Sequence, residues 1–172
     1  MRIHPIEPGT RPALADIEQR ILAERGRISP LYQVLLHSPA IAKGWEQMLS
    51  AVRNYSSLDA AIRELVILRV AMLNRATYEF DAHVPHALKA GVPQQAIDAT
   101  RDLSGTACGV WTPPQRLAIE ATDALTRELE VPNALFQRIA QQFSEQEQVE
   151  LFAAIGAYNM VSRFLNAFQI GH

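Results

Sequence analysis

The segment Leu65-Val66-Ile67-Leu68-Arg69-Val70-Ala71-Met72-Leu73 constrains this chain more than any other, because it is apolar on nearly every side when wound as a helix. Such a helix has no face to offer water, so it must be buried, either by its own domain or by a partner chain. Ser57-Leu58-Asp59 precedes it as a start signal. The rest of the chain supplies the helices to cover it. Apolar residues recur at helical spacing from Pro12 to Arg25, where Gly26 stops them, and again after Ser29-Pro30 and Ser38-Pro39. Further helices are expected at about Thr77–Lys89 with Pro85 inside, after Val92-Pro93, and at about 114–128, 132–142 and 144–169. Ser144 and Glu147 form a capping-box pattern at the head of the last one. No stretch alternates like a strand between hairpin turns. The expectation is an all-α single domain over residues 1–172, with residues 1–11 as an extended, proline-bearing arm and a long C-terminal helix.

A length of 172 residues is enough to bury a real core. The net charge of -2 is spread over scattered basic residues, which leaves no footprint for a nucleic-acid backbone. Two lysines, Lys43 and Lys89, make no polybasic membrane patch, and no apolar run approaches the length of a bilayer span. The amino-terminal residues have no signal-peptide pattern, so a cytoplasmic protein is expected. The single cysteine, Cys108, rules out an intrachain disulfide and a two-thiol redox cycle within one chain.

Glu79, His83 and His86 fall at i, i+4 and i+7 of one predicted helix, within roughly 40° of a common face. A carboxylate beside an imidazole raises its pKa and fixes its tautomer, as a general acid/base near neutral pH requires. The same spacing also occurs in ordinary surface pairs. Glu64 shares a helix face with Ile67, Leu68 and Ala71. A carboxylate there needs a partner or a raised pKa, which makes it a candidate acid, unless it merely favours the helix dipole with Arg63 beside it. Tyr78 offers either a phenolic hydrogen bond to a pocket or core packing. A metal site from Glu79, His83, His86 and Glu64 is permitted by spacing, but the paired Glu-x-x-His units of di-iron bundles are missing, and no metal is expected.

These residues carry a resemblance. Arg63-Glu64-Leu65, Tyr78-Glu79-Phe80-Asp81-Ala82-His83 and Ala87-Leu88-Lys89-Ala90-Gly91-Val92 resemble the carboxymuconolactone decarboxylase family, which includes the alkylhydroperoxidase D-like proteins. Leu35-Leu36-His37-Ser38-Pro39-Ala40 and the segment from Ile155 to Phe168 are similar to it as well. The resemblance implies an alkylhydroperoxidase D-like helical bundle that assembles into dimers, trimers or hexamers. The peroxidase branch pairs a glutamate and a histidine with a Cys-x-x-Cys motif. Here the glutamate maps to Glu64 and the histidine to His83, while the two cysteine positions hold Ala76 and Glu79, so thiol peroxidase activity does not carry over.

The decarboxylase branch implies loss of CO2 from a small anionic lactone or carbonyl-conjugated substrate, with no cofactor because that carbonyl takes up the electrons. In that reading His83 is the proton donor, Glu79 orients it, and a protonated Glu64 hydrogen-bonds the developing oxyanion. Tyr78, His86 and Arg69 are the candidate substrate contacts. Two other readings stand beside it: a non-catalytic binding or assembly protein that kept the fold and lost the thiols, and a metal-dependent enzyme. Because the 58–74 helix and an apolar C-terminal helix both need cover, a homo-oligomer is expected.

Overall fold

The computed structural model describes residues 1–104 and 108–171, with only the backbone of Cys108. The loop reading around Gly105-Thr106-Ala107 and the Cys108 thiol therefore lies outside the described residues. The helices, in chain order, are α1 (Ala15–Arg25), α2 (Pro30–Leu35), α3 (Pro39–Asn54), α4 (Ala60–Leu73), α5 (Thr77–Lys89), α6 (Gln94–Ala99), α7 (Pro113–Arg127), α8 (Asn133–Gln142) and α9 (Glu145–Phe168). No strand occurs among the described residues.

Local chemistry sets the helix ends. Proline opens α2, α3 and α7, where its missing N–H leaves no donor unpaired. Gly26, at φ 71°, ends α1 in the left-handed conformation that glycine adopts most cheaply. Asp59 accepts a hydrogen bond from Ile62 N–H at 3.0 Å and so caps α4. Ser144 and Glu147 complete the capping box of α9. One turn later Glu150 reaches across to the entry of α4, where its Oε2 accepts from the backbone N–H groups of Ser57 and Leu58 and from both serine hydroxyls of 56 and 57. Those bonds outweigh the burial penalty and hold the Glu150 pKa down at about 2, so one charged group ties α9 to the start of the central helix.

The central helix is covered within the chain. α4 packs against α5, α7 and α9, and Leu65, Val66, Ile67, Leu68 and Val70 are all 0% exposed. Of the two ways to bury α4, by its own domain or by a partner chain, the structure uses the first: the facing helices cover it. The amino-terminal arm also stays with its own domain. Arg2 N–H donates to Phe168 O at 2.9 Å, Ile6 N–H to Gln33 O at 3.1 Å, and the Ile6 side chain is buried. Pro85 sits on the exposed side of α5, which runs through it to Lys89. Among the described residues no helix is long and apolar enough to cross a membrane.

Candidate functional site

The α4–α5 packing brings Glu64 and His83 face to face. The backbone positions nineteen residues apart place Glu64 Oε2 at 2.7 Å from His83 Nδ1, with both side chains buried. One turn before His83 on its own helix, Glu79 presents Oε1 at 3.3 Å from Nε2. Tyr158 of α9 closes the third side: its hydroxyl lies 3.5 Å from Nε2 and its ring meets the imidazole edge-on at 5.3 Å between centroids. His86 stacks at a tilt 5.4 Å from His83, and Arg53 of α3 reaches its Nε2 at 3.4 Å.

The electrostatics follow from that geometry. Burial pulls the His83 pKa down, but the hydrogen bonds and charges of Glu64 and Glu79 prevail and leave it raised. Burial pushes Glu64 up, yet the hydrogen bond and positive charge of His83, with Arg53 further off, leave it lowered. The two shifts have one origin: each group favours the charged form of the other. His86 is lowered by burial and by the charges of Arg53 and His83. Burial raises Tyr158, so its hydroxyl keeps its proton.

These groups line a cavity of about 390 Å³. Glu64, Glu79, His83, Tyr78 and His86 all border it, as the sequence reading expected them to share one place. Two expectations are corrected. Glu64 takes His83 Nδ1 while Glu79 faces Nε2, and with its pKa lowered Glu64 is a charged acceptor rather than the protonated donor expected for an oxyanion. Arg69 does not border the cavity. It is 1% exposed, its Nε and Nη2 donate to both carboxylate oxygens of Asp123 at 2.5 Å, and its Nη1 donates to the carbonyls of Thr100 and Asp102. Every face of the guanidinium is committed to joining α4, α7 and the 100–102 turn.

Other cations border the cavity instead: Arg25 of α1, Arg27 just after it, Arg53 of α3 and Arg63 in the first turn of α4. Arg63 is legible in the sequence as the neighbour of Glu64, whereas Arg25, Arg27 and Arg53 come from segments distant in the chain and look like scattered basic residues. Tyr158 lies on the apolar stripe of the last helix, where its hydroxyl is the one sequence signal for a place in the site. As for a metal, among the described residues no three His, Cys, Asp or Glu side chains converge to hold one.

The sequence pattern of the carboxymuconolactone decarboxylase family matches residues 39–124, half of the chain, and this span contains Glu64, Glu79 and His83. The chain belongs to the carboxymuconolactone decarboxylase family. Among its relatives, the uncharacterized Bacillus subtilis protein YdfG is 27% identical over 110 residues, covering 63% of this chain and 74% of that one. A protein of unknown function from Agrobacterium tumefaciens, named for the antioxidant defence protein AhpD, superposes with a TM-score of 0.71 at 26% identity, over 79% of this chain and 92% of its own. The debrominase Bmp8 in complex with 2,3,4-tribromopyrrole shares the fold at a TM-score of 0.80 and 14% identity, over 98% and 90% of the two chains. The alkylhydroperoxidase D-like bundle is thus the fold of this member of the family.

Proposed function

We propose that this chain is a cofactor-free carboxy-lyase for a small anionic substrate bearing a conjugated carbonyl or lactone, with His83 as the proton donor. The observation that carries the reading is the setting of His83: a buried imidazole between two carboxylates on the wall of an arginine-lined cavity. Arginines attract an anion, and a histidine with a raised pKa holds a proton to deliver at neutral pH.

In this mechanism the bond from carbon to the departing carboxylate breaks and its electron pair moves into the conjugated carbonyl. CO2 leaves, and the resulting dienolate carbon takes the proton from His83 Nε2. Glu64 stays ionised, accepts the Nδ1–H bond and stabilises the imidazolium throughout. Glu79 holds the Nε2 proton until substrate arrives. The protonated Tyr158 hydroxyl is the neutral donor for the developing oxyanion, the role first assigned to Glu64. Solvent then returns a proton to the imidazole.

The binding-and-assembly alternative calls for a small or filled pocket, which a cavity of about 390 Å³ does not favour. Homo-oligomerisation and a role for Tyr78 and His86 in substrate contact belong to the same proposal. A monomeric elution volume at high concentration would contradict self-association.

The test is CO2 release from a panel of unsaturated carboxylates and carboxylated lactones. At least one compound should be turned over, and His83→Gln should slow it by roughly 10²–10⁴-fold. If no member of the panel releases CO2 while several bind, the carboxy-lyase reading fails.

A further inference from the structure

Part of the cavity wall comes from neither α4 nor α5. Arg25 at the end of α1, Leu31 and Tyr32 of α2 and Trp45 of α3 border the same space as His83. Residues 25–32 precede the span that carries the family pattern. Tyr32 and Trp45 are only 5% and 7% exposed, and although Arg25 approaches the phenolic oxygen as a donor, among the described residues neither the Tyr32 O–H nor the Trp45 N–H has an acceptor. Buried donors are nearly always satisfied. Two such donors on residues that border one cavity are suited to an acceptor that reaches into its wall.

Their chemistry narrows the acceptor. Burial pushes the Tyr32 pKa up to about 12, against an opposing pull from Arg25, so its hydroxyl is a proton donor at neutral pH. Indole N–H only donates. Arg25 adds positive charge from a fixed position, with Nε 3.5 Å from Glu46 Oε1 and Nη2 donating to Ser50 Oγ at 3.4 Å. Leu31, Leu49 and Val161 give the surroundings an apolar surface. Donors and a cation call for a carboxylate, and the apolar surface with two aromatic rings calls for a flat, conjugated body behind it.

We propose that Tyr32 and Trp45 are specificity-determining residues, donating their O–H and N–H to a carboxylate of a small planar conjugated acid. The inference rests on the reading of the cavity as a substrate site. It assigns recognition to the amino-terminal helices and leaves proton transfer to α4 and α5.

Benzoate tests it, because its binding needs no turnover. Titration calorimetry on the full chain compares wild type with Tyr32→Phe and Trp45→Phe, each checked by thermal melting. Tyr32→Phe removes one oxygen and keeps the ring, so it reads the hydrogen bond even if Trp45→Phe loosens its packing on Phe164. Wild type should bind benzoate and each variant should bind it roughly tenfold more weakly. The inference is overturned if wild type ignores benzoate at roughly 10 mM, or if both variants bind within about twofold of wild type. Absent CO2 release from the panel would sink the carboxy-lyase reading while leaving a tenfold loss in these titrations intact.

Discussion

His83 Nδ1 and Glu64 Oε2 stand 2.7 Å apart across the α4–α5 interface, which makes the partner on the neighbouring helix, rather than the one on its own, the group that fixes the imidazole. Glu79, four residues before His83, faces the other nitrogen at 3.3 Å. The two carboxylates thus have different work. In the proposed mechanism one holds the ring and its charge, and the other holds the proton on Nε2.

Glu64→Gln should therefore damage turnover through His83. Loss of the carboxylate lowers the His83 pKa, so the protonated, active form disappears at a lower pH. The alkaline limb of kcat/KM should move to lower pH, with turnover at neutral pH reduced by roughly 10²-fold. A pH–rate profile measured on any substrate found in the CO2 assay checks this; an unshifted alkaline limb would contradict it.

Stability should carry the same signature. The His83 pKa is raised, so its contribution is full below the ordinary value of 6.5 and is lost as pH rises through the folded value. The Glu64 pKa is lowered, so its contribution is full above the ordinary value of 4.5 and is lost as pH falls through the folded value. The pair supports the fold most between those two ordinary values. Thermal midpoints of wild type and His83→Gln should differ most in that window and converge above and below it, as differential scanning across pH would register.

Asp123→Ala should destabilise the fold while sparing the cavity. It strands the Arg69 guanidinium, which is 1% exposed, with only two carbonyl partners. Removing one member of a buried pair costs about 3 kcal/mol, the lower end of the usual range, since Asp123 itself is partly exposed. Urea unfolding measures the loss, and benzoate affinity should stay at the wild-type level.

Much of this architecture was legible in the residues. Proline and serine at helix starts, Gly26, and the Ser144–Glu147 pair mark boundaries through local hydrogen bonding, which a sequence displays directly. The periodicity of α5 also brought Glu79, His83 and His86 to one face. What it could not display was how α4 crosses α5. That crossing decides which glutamate meets Nδ1, and with it whether Glu64 is charged or neutral. Arg69 was hidden for the same reason, because its partner Asp123 is 54 positions away on α7. The arginines of the cavity, Tyr32 and Trp45 likewise come from elements whose meeting point depends on tertiary packing.

The central claim is that His83 holds a proton between Glu64 and Glu79 in the free protein. Long-range proton–nitrogen correlation spectra of histidine-labelled protein, recorded across a pH titration, read that proton directly. The account predicts that both ring nitrogens of His83 remain protonated above the ordinary histidine value of 6.5, and that Glu64→Gln brings the titration down. A His83 ring that titrates at or below 6.5 in the wild-type protein would contradict it.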